Sequence, residues 1–136
     1  MFYRLMHENA VPVDKRNNAS ETMLKCCWDL KIDPVEIIWI RKTKSGIFSI
    51  HNFLGMHSKG KIYLNVDQDT NRLKKTLMHE VRHVWQAIQI KNLDIDVMYG
   101  NNLAEKSDMY FKLNDRWISS EKDAKNYEGK ILQFER

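Results

Sequence analysis

The sequence predicts one α+β domain in which a small antiparallel β-sheet of about three strands packs against one long helix and further C-terminal helices. Three observations support this fold class. Short runs rich in branched and aromatic residues, separated by glycine turns, lie between residues 35 and 66. A periodic apolar stripe then extends over residues 70–91. The 136 residues are enough for a single hydrophobic core, so residues 1–136 are expected to form one domain.

The composition is that of an ordinary globular protein, with 43% hydrophobic and 29% charged residues. No apolar run approaches the roughly 20 residues that span a bilayer. Residues 1–18 lack the basic and apolar regions of a signal peptide. The chain has 2 cysteines, Cys26 and Cys27, which are adjacent and therefore poorly placed to pair with each other. We expect a cytoplasmic protein with reduced thiols and no membrane partner.

The charge pattern argues against nucleic acid as a partner. The formal net charge is +4, and basic residues gather only at 41–44 and at Arg72, Lys74 and Lys75. A nucleic-acid interface would show a denser basic stripe with interleaved aromatic residues. A solvated basic face is the simpler interpretation of these clusters.

The first half of the chain is predicted to contain one helix and three strands. Residues 1–18 are expected to be an irregular lead-in, and Ser20 is expected to cap a helix that ends before Asp33 and Pro34. The strands are predicted at residues 35–42, 46–53 and 61–66.

The second half is predicted to be helical. Asp67 or Asp69 is expected to cap the long helix, whose apolar stripe comprises Leu73, Leu77, Val81, Val84 and Ile88. A shorter helix is predicted at 102–113. The last helix is expected to begin at Ser119 or Ser120 and to continue to residue 134.

The long helix carries the run HEVRH at residues 79–83. Residues four apart lie one turn apart on the same helix face, so His79 and His83 can direct both imidazoles at one zinc ion. Glu80 lies about 100° around the helix, where it can serve as general base toward a water on the metal. The alternative is an ordinary surface helix with two exposed histidines, which the adjoining apolar stripe disfavours.

A third ligand is needed, because a catalytic zinc has three protein ligands and one open position. No histidine follows His83, so a later carboxylate is expected. Glu121 falls in the middle of the apolar face of the last predicted helix, and Asp123 points nearly opposite. That face comprises Trp117, Ile118, Ala124, Ile131 and Leu132. A carboxylate there needs a positive partner, either zinc or a Lys or Arg; Glu105 is the rival ligand.

HEVRHVWQ followed by a helix of the form ExxA resembles the gluzincin branch of HExxH zinc metallopeptidases. In size the chain is similar to the cytoplasmic immunity and anti-repressor metallopeptidases of mobile elements. The resemblance covers roughly residues 61–132. It implies a zincin-like fold and one zinc ion. It also implies peptide-bond hydrolysis with Glu80 as the base and, as metal ligands, His79, His83 and Glu121.

The chain departs from the gluzincin pattern at one position. Many gluzincins have an Asp four residues after the ligand Glu, where it orients a histidine. Lys125 occupies that position here. Glu128, one turn further along the same face, is a substitute for that Asp.

Two functions from different classes follow from these residues. The first is a metallopeptidase that cleaves an extended segment of a protein or peptide substrate. The alternative is a zincin-like protein-binding module that regulates or inhibits a partner protein without proteolysis. Tyr99, Tyr110 and Tyr127 are candidate oxyanion donors, and a tyrosine of the core or its rim is the simpler interpretation of each. His51 and His57 are interpreted as structural or surface histidines.

Overall fold

The computed structural model of the chain describes residues 3–42, 54–92, 95, 97–99 and 109–132. Within these residues the chain has an α+β fold, as predicted. The helices are α1 (Val13–Leu30), α2 (Thr70–Lys91) and α3 (Ser120–Tyr127), with a short 3₁₀ helix at Glu8–Ala10. The strands are β1 (Tyr3–Leu5), β2 (Glu36–Lys42), β3 (Gly55–Ser58), β4 (Lys61–Asn65), β5 (Val97–Tyr99), β6 (Met109–Leu113) and β7 (Arg116–Ser119).

The first sheet is mixed, and the predicted antiparallel sheet is wrong in this respect. Its strand order is β1–β2–β4–β3, and β2 and β4 run parallel with Ile38 opposite Tyr63. Parallel neighbours need a crossover of a dozen or more residues, and the chain between β2 and β4 is long enough to provide one. The predicted strands at 35–42 and 61–66 are confirmed as β2 and β4. The predicted strand at 46–53 lies outside the described residues.

A second sheet contains β5, β6 and β7 in antiparallel order. Asn114 and Asp115 join β6 to β7 with φ angles of 52° and 63°. Positive φ at both central residues defines the tight hairpin turn whose twist matches that of the strands. The helix predicted at 102–113 is therefore wrong over 109–113, where Phe111 is buried in β6; residues 101–108 lie outside the described residues.

The first helix begins earlier than the sequence predicts. Pro12 is its N-cap and Val13 its first residue, so Ser20 lies inside α1 and does not begin it. The fixed φ of proline is already suited to a helix start. The lead-in predicted at 1–18 is accordingly wrong, because it contains β1, the 3₁₀ helix and the first turn of α1.

The long central helix is confirmed at the predicted residues. Asp69 caps α2 by accepting a hydrogen bond from the backbone N–H of Arg72. Its apolar stripe packs against α1 and one face of the first sheet, in a core that includes Ala19, Met23, Ile62, Leu64, Leu73, Leu77 and Val81. Within the described part of the chain, no helix is long and apolar enough to cross a membrane. Burial of this stripe fixes the rotation of α2 and thus the directions of its polar residues.

A glycine allows β3 to approach α2 closely. A Cβ atom on Gly55 would lie 2.7 Å from the Cγ2 methyl of Thr76 and 3.0 Å from the carbonyl oxygen of Tyr63. Thr76 is held in place because its hydroxyl donates to Gln68 at 2.7 Å. The methyl of an alanine would therefore push β3 away from the helix.

We predict that Gly55→Ala destabilises the protein by about 1–3 kcal/mol, the usual cost of overpacking. The measurement is the free energy of unfolding in urea. Gly129→Ala is the control, because its Cβ would meet only Asn126 at 3.8 Å; its effect should stay below about 1 kcal/mol. Equal stability of the two variants would contradict the close packing of β3.

Asp29 on α1 ties that helix to the end of α3. The Tyr127 hydroxyl donates to its carboxylate at 2.7 Å, and the Lys130 ammonium donates at 2.9 and 3.0 Å. Burial alone would raise the pKa of Asp29, but the hydrogen bonds from Lys130 and Tyr127 outweigh it and lower the pKa below its ordinary 3.8. The charged form of Asp29 therefore stabilises the fold.

We predict that Asp29→Asn costs about 0.5–1 kcal/mol at pH 7, as expected for a partly exposed ion pair. A lowered folded-state pKa contributes stability above the unfolded value, and this stability is lost as the pH falls through the folded value. The difference between wild type and variant should therefore shrink below about pH 4. Urea unfolding at pH 7 and pH 3 measures it, and an undiminished difference at pH 3 would contradict the assignment.

Candidate metal centre

Two histidines of α2 and one glutamate of α3 converge on one point. The Nε2 atoms of His79 and His83 are 3.1 Å apart. The Glu121 carboxylate, from the first turn of α3, lies 3.2 Å from Nε2 of His79 and 2.9 Å from Nε2 of His83. One potential ligand atom from each of the three residues lies within 4.8 Å of the others, so the group can hold a metal ion.

The distances fit a small tetrahedral ion. With bonds of about 2.0–2.1 Å, two ligand atoms of a tetrahedral zinc lie roughly 3.3 Å apart. The separations of 2.9–3.2 Å among His79, His83 and Glu121 are close to that value. Two imidazole nitrogens and one carboxylate oxygen are also a donor set that zinc takes in proteins.

Glu128 determines which nitrogen of His79 faces the cluster. Its carboxylate lies 2.8 Å from Nδ1 of His79. A carboxylate accepts, so Nδ1 carries the proton and Nε2 presents its lone pair. Glu128 thus makes the contact with a ligand histidine that the sequence suggested as a substitute for the Asp missing at Lys125.

Gln86 determines which nitrogen of His83 faces the cluster. Its Nε2 donates to the carbonyl oxygen of Ser120 at 3.0 Å and to the Asp123 carboxylate at 2.8 Å. Both partners are acceptors, so the amide oxygen must face Nδ1 of His83, which lies 2.9 Å away. Nδ1 of His83 then carries the proton, and Nε2 is left as an acceptor.

When both histidines are neutral in these tautomers, the centre of the cluster is therefore a concentration of lone pairs. Two imidazole Nε2 atoms and the anionic carboxylate of Glu121 face one another at about 3 Å. Acceptors this close repel one another unless a positive charge lies between them. A metal cation would satisfy all three at once.

Glu80 points toward β3 and not toward the three ligands. It is only 8% exposed. Its Oε1 lies 2.9 Å from Nδ1 of His57, and the His57 ring stacks on that of His83 with centroids 4.9 Å apart. His57 is exposed, which agrees with its interpretation as a structural or surface histidine, and these contacts place it beside Glu80. No spacing to the HEVRH run indicated it, because the contact depends on how β3 is placed beside α2.

The prediction that Glu121 lies on the buried face of the last helix and Asp123 on the opposite face is wrong. Asp123 is buried at 7% exposure, and the side chain of Glu121 is 66% exposed. Arg82, inside the HEVRH run, donates two hydrogen bonds to the Asp123 carboxylate, at 2.7 and 3.0 Å. The predicted face was wrong because Trp117 and Ile118 belong to β7, so they do not define a face of the helix. Glu121 nonetheless reaches the cluster, because it lies in the turn that Asp123 anchors.

The remaining candidate residues contribute less. Tyr127 donates its hydroxyl to Asp29, and burial together with that hydrogen bond raises its pKa, so it is committed to the α1–α3 contact. Tyr110 is half-buried in β6. Glu105 and His51 lie outside the described residues, as does the side chain of Tyr99.

The cluster of His79, His83 and Glu121 thus has the geometry and the donor chemistry of a metal site. Both of its histidines have a hydrogen-bond partner on Nδ1, and its carboxylate comes from a separate helix. Comparison with known proteins does not add to this description, since no family model, no curated protein and no solved structure matches the chain.

Proposed function

We propose that the protein is a zinc-dependent metallopeptidase of the zincin type that hydrolyses peptide bonds in a protein substrate. One observation carries the proposal: two imidazole Nε2 atoms and a carboxylate converge, and the buried Glu80, next to His79 in the chain, is not one of them. Zinc takes this set of two histidines and one glutamate in catalytic sites. The HEVRH spacing supports the same chemistry.

His79, His83 and Glu121 would hold the ion. When bound, zinc acts as a Lewis acid that polarises the scissile carbonyl and makes water more acidic. Glu80 takes the proton from the attacking water as the oxygen bonds to the carbonyl carbon. It then delivers that proton to the leaving nitrogen as the C–N bond breaks.

His57 holds the base in position. With its Nδ1–H donated to Oε1 of Glu80, it restrains one carboxylate oxygen and leaves the other for the attacking water. Stacking on His83 keeps the His57 ring in this orientation. The base is therefore held from the sheet side, while the ligands are held from α2 and α3.

The substrate is proposed to be an extended protein segment that lies along β3. In the sheet formed by the described residues, β3 is an outer strand and carries His57 next to Glu80. Such an edge can pair with an extended peptide by main-chain hydrogen bonds. By contrast, β4 is an inner strand between β2 and β3, so both of its edges are already paired.

The first test of this proposal is zinc content. We predict that His79→Ala and His83→Ala each abolish stoichiometric zinc binding, because two remaining ligands cannot retain the ion. Glu121→Gln should lower the affinity for zinc by more than roughly 10–100-fold, which is the usual effect of losing a residue that hydrogen-bonds to a metal ligand. Elemental analysis and competition with a chelating dye measure these effects.

His7→Ala is the control for this series. His7 lies outside the cluster and accepts from the backbone N–H of Asn9 at 3.2 Å. Its replacement should leave zinc binding unchanged. Full zinc occupancy in either His79→Ala or His83→Ala would show that the ligands are elsewhere.

The second test separates catalysis from metal binding. Glu80→Gln preserves the size and hydrogen bonding of the side chain but cannot accept a proton from water. We predict that it retains zinc and loses about 10²–10⁴-fold in cleavage rate, the usual contribution of a general base. The assay is the appearance of new termini, by mass spectrometry, in a mixture of unstructured peptides incubated with the zinc-loaded protein.

Glu36→Gln is the matched control, since Glu36 contacts Lys61 on the first sheet at 3.6 Å and is exposed. It should cleave at the wild-type rate. If Glu80→Gln also cleaves at that rate, Glu80 is not the base and the peptidase mechanism fails. The alternative, a protein-binding module that regulates its partner without proteolysis, would then be the better description.

A further inference from the structure

Gln86 lies buried between the ligand histidines and the start of α3. It is 2% exposed. Its amide makes three hydrogen bonds: to His83 at 2.9 Å, to the Ser120 carbonyl at 3.0 Å and to the Asp123 carboxylate at 2.8 Å. All the polar atoms of its side chain are therefore engaged, on three different partners.

The hydrogen-bond partners of this amide allow only one orientation of its oxygen and NH₂ group. The Ser120 carbonyl and the Asp123 carboxylate are acceptors, so the NH₂ group must face them. The oxygen is then the atom directed at His83, and it can only accept. Reversing the amide would bring its oxygen against two acceptors, the Ser120 carbonyl and the Asp123 carboxylate.

The orientation has a consequence for metal binding. A neutral imidazole carries its proton on one nitrogen, and the hydrogen bond of one nitrogen fixes the role of the other. With Nδ1–H of His83 donated to Gln86, Nε2 holds a lone pair toward His79 and Glu121. Without Gln86, His83 can adopt the other tautomer, whose Nε2–H cannot bind a metal.

The same amide is connected to the contact that docks α3. Asp123, which receives the Gln86 NH₂ group, also accepts both hydrogen bonds from Arg82. The Arg82 guanidinium lies 4.0 Å from the ring centre of Trp85 and 5.3 Å from that of Tyr127. Asp123 is thereby fixed from two sides, and it fixes Gln86 in turn.

We propose that Gln86 is a positioning residue of the metal site, which selects the tautomer of His83 and couples it to the docking of α3. This inference rests on the proposed function in one respect, namely that His83 binds a metal through Nε2. The seating of α3 brings Glu121 to the site, and the same contact orients His83. Docking of α3 thus places Glu121 at the site and orients His83 for metal binding at the same time.

The chain offers a matched control for this role. Gln68 is also a buried glutamine with three hydrogen bonds, donating to the carbonyls of Leu54 and Asn65 at 2.8 Å and accepting from Thr76 at 2.7 Å. None of these partners is a histidine. Methionine has the length of glutamine and no amide, so Gln86→Met and Gln68→Met remove comparable interactions at similar burial.

The experiment measures zinc and cobalt affinity by chelator competition in wild type, Gln86→Met and Gln68→Met. We expect Gln86→Met to bind about 10–100-fold more weakly, the usual effect of losing an outer partner of a ligand. Its cobalt absorption spectrum should also change, because His83 is no longer held. Gln68→Met, corrected for its folded fraction, should match wild type. Equal affinities of the two variants would overturn the inference.

A second measurement needs no variant. In the metal-free wild-type protein, nitrogen-15 chemical shifts of the His83 ring report which nitrogen bears a proton. We expect a proton on Nδ1, and a ring protonated only on Nε2 would overturn the inference even if Gln86→Met fails to fold. The two proposals fail differently: a wild-type protein that binds neither zinc nor cobalt refutes the metal site itself, whereas tight binding unaffected by Gln86→Met refutes only the role of Gln86.

Discussion

The ion pair between Arg82 and Asp123 is the contact on which the geometry of the site depends. It joins α2 to α3 by two hydrogen bonds in a largely buried setting. Isolated helices of eight residues are not stable in water, so α3 owes its position to such tertiary contacts. A buried Arg82 or Asp123 without its partner would be strongly destabilising. The pairing of these two charges therefore makes the docking position of α3 specific. Glu121, two residues before Asp123, is brought to the histidines as a result.

The run HEVRHVWQ contains two pairs of residues spaced four apart. His79 and His83 form the first pair and face the metal position. Arg82 and Gln86 form the second pair and face α3 through Asp123. The two pairs are offset by three residues, or about 60° around the helix, so they lie on adjacent faces. One helix segment therefore supplies both the ligands and the surface that seats the third ligand.

The sequence was most informative where a single helix determines the geometry. The bounds of α2 and the convergence of His79 and His83 follow from periodicity within one element, and the N-cap, Asp69, is one of the two aspartates that the sequence offered. The fold class α+β was also predictable, because strand and helix patterns are local. Glu121 was identified as a ligand candidate, but from a helical face that included residues of β7.

Contacts between elements were not predictable in the same way. The approach of His57 to Glu80 depends on the parallel pairing of β2 with β4, which leaves β3 next to α2. The burial of Asp123 depends on Arg82, a charged residue inside the motif whose partner has no fixed spacing from it. The β6–β7 hairpin depends on two residues with positive φ, Asn114 and Asp115, between strands whose apolar pattern also suits a helix.

The exposure of Glu121 distinguishes the two kinds of zinc site that these ligands could form. Structural zinc sites are closed by four protein ligands, whereas catalytic sites have three and keep one position open. Among the described residues the cluster brings together three ligands, and the side chain of Glu121 is 66% exposed. His83, by contrast, is buried, and the His57 ring from β3 stacks on it. The cluster is thus buried on its inner side and accessible on its outer side, as the proposed catalytic site requires.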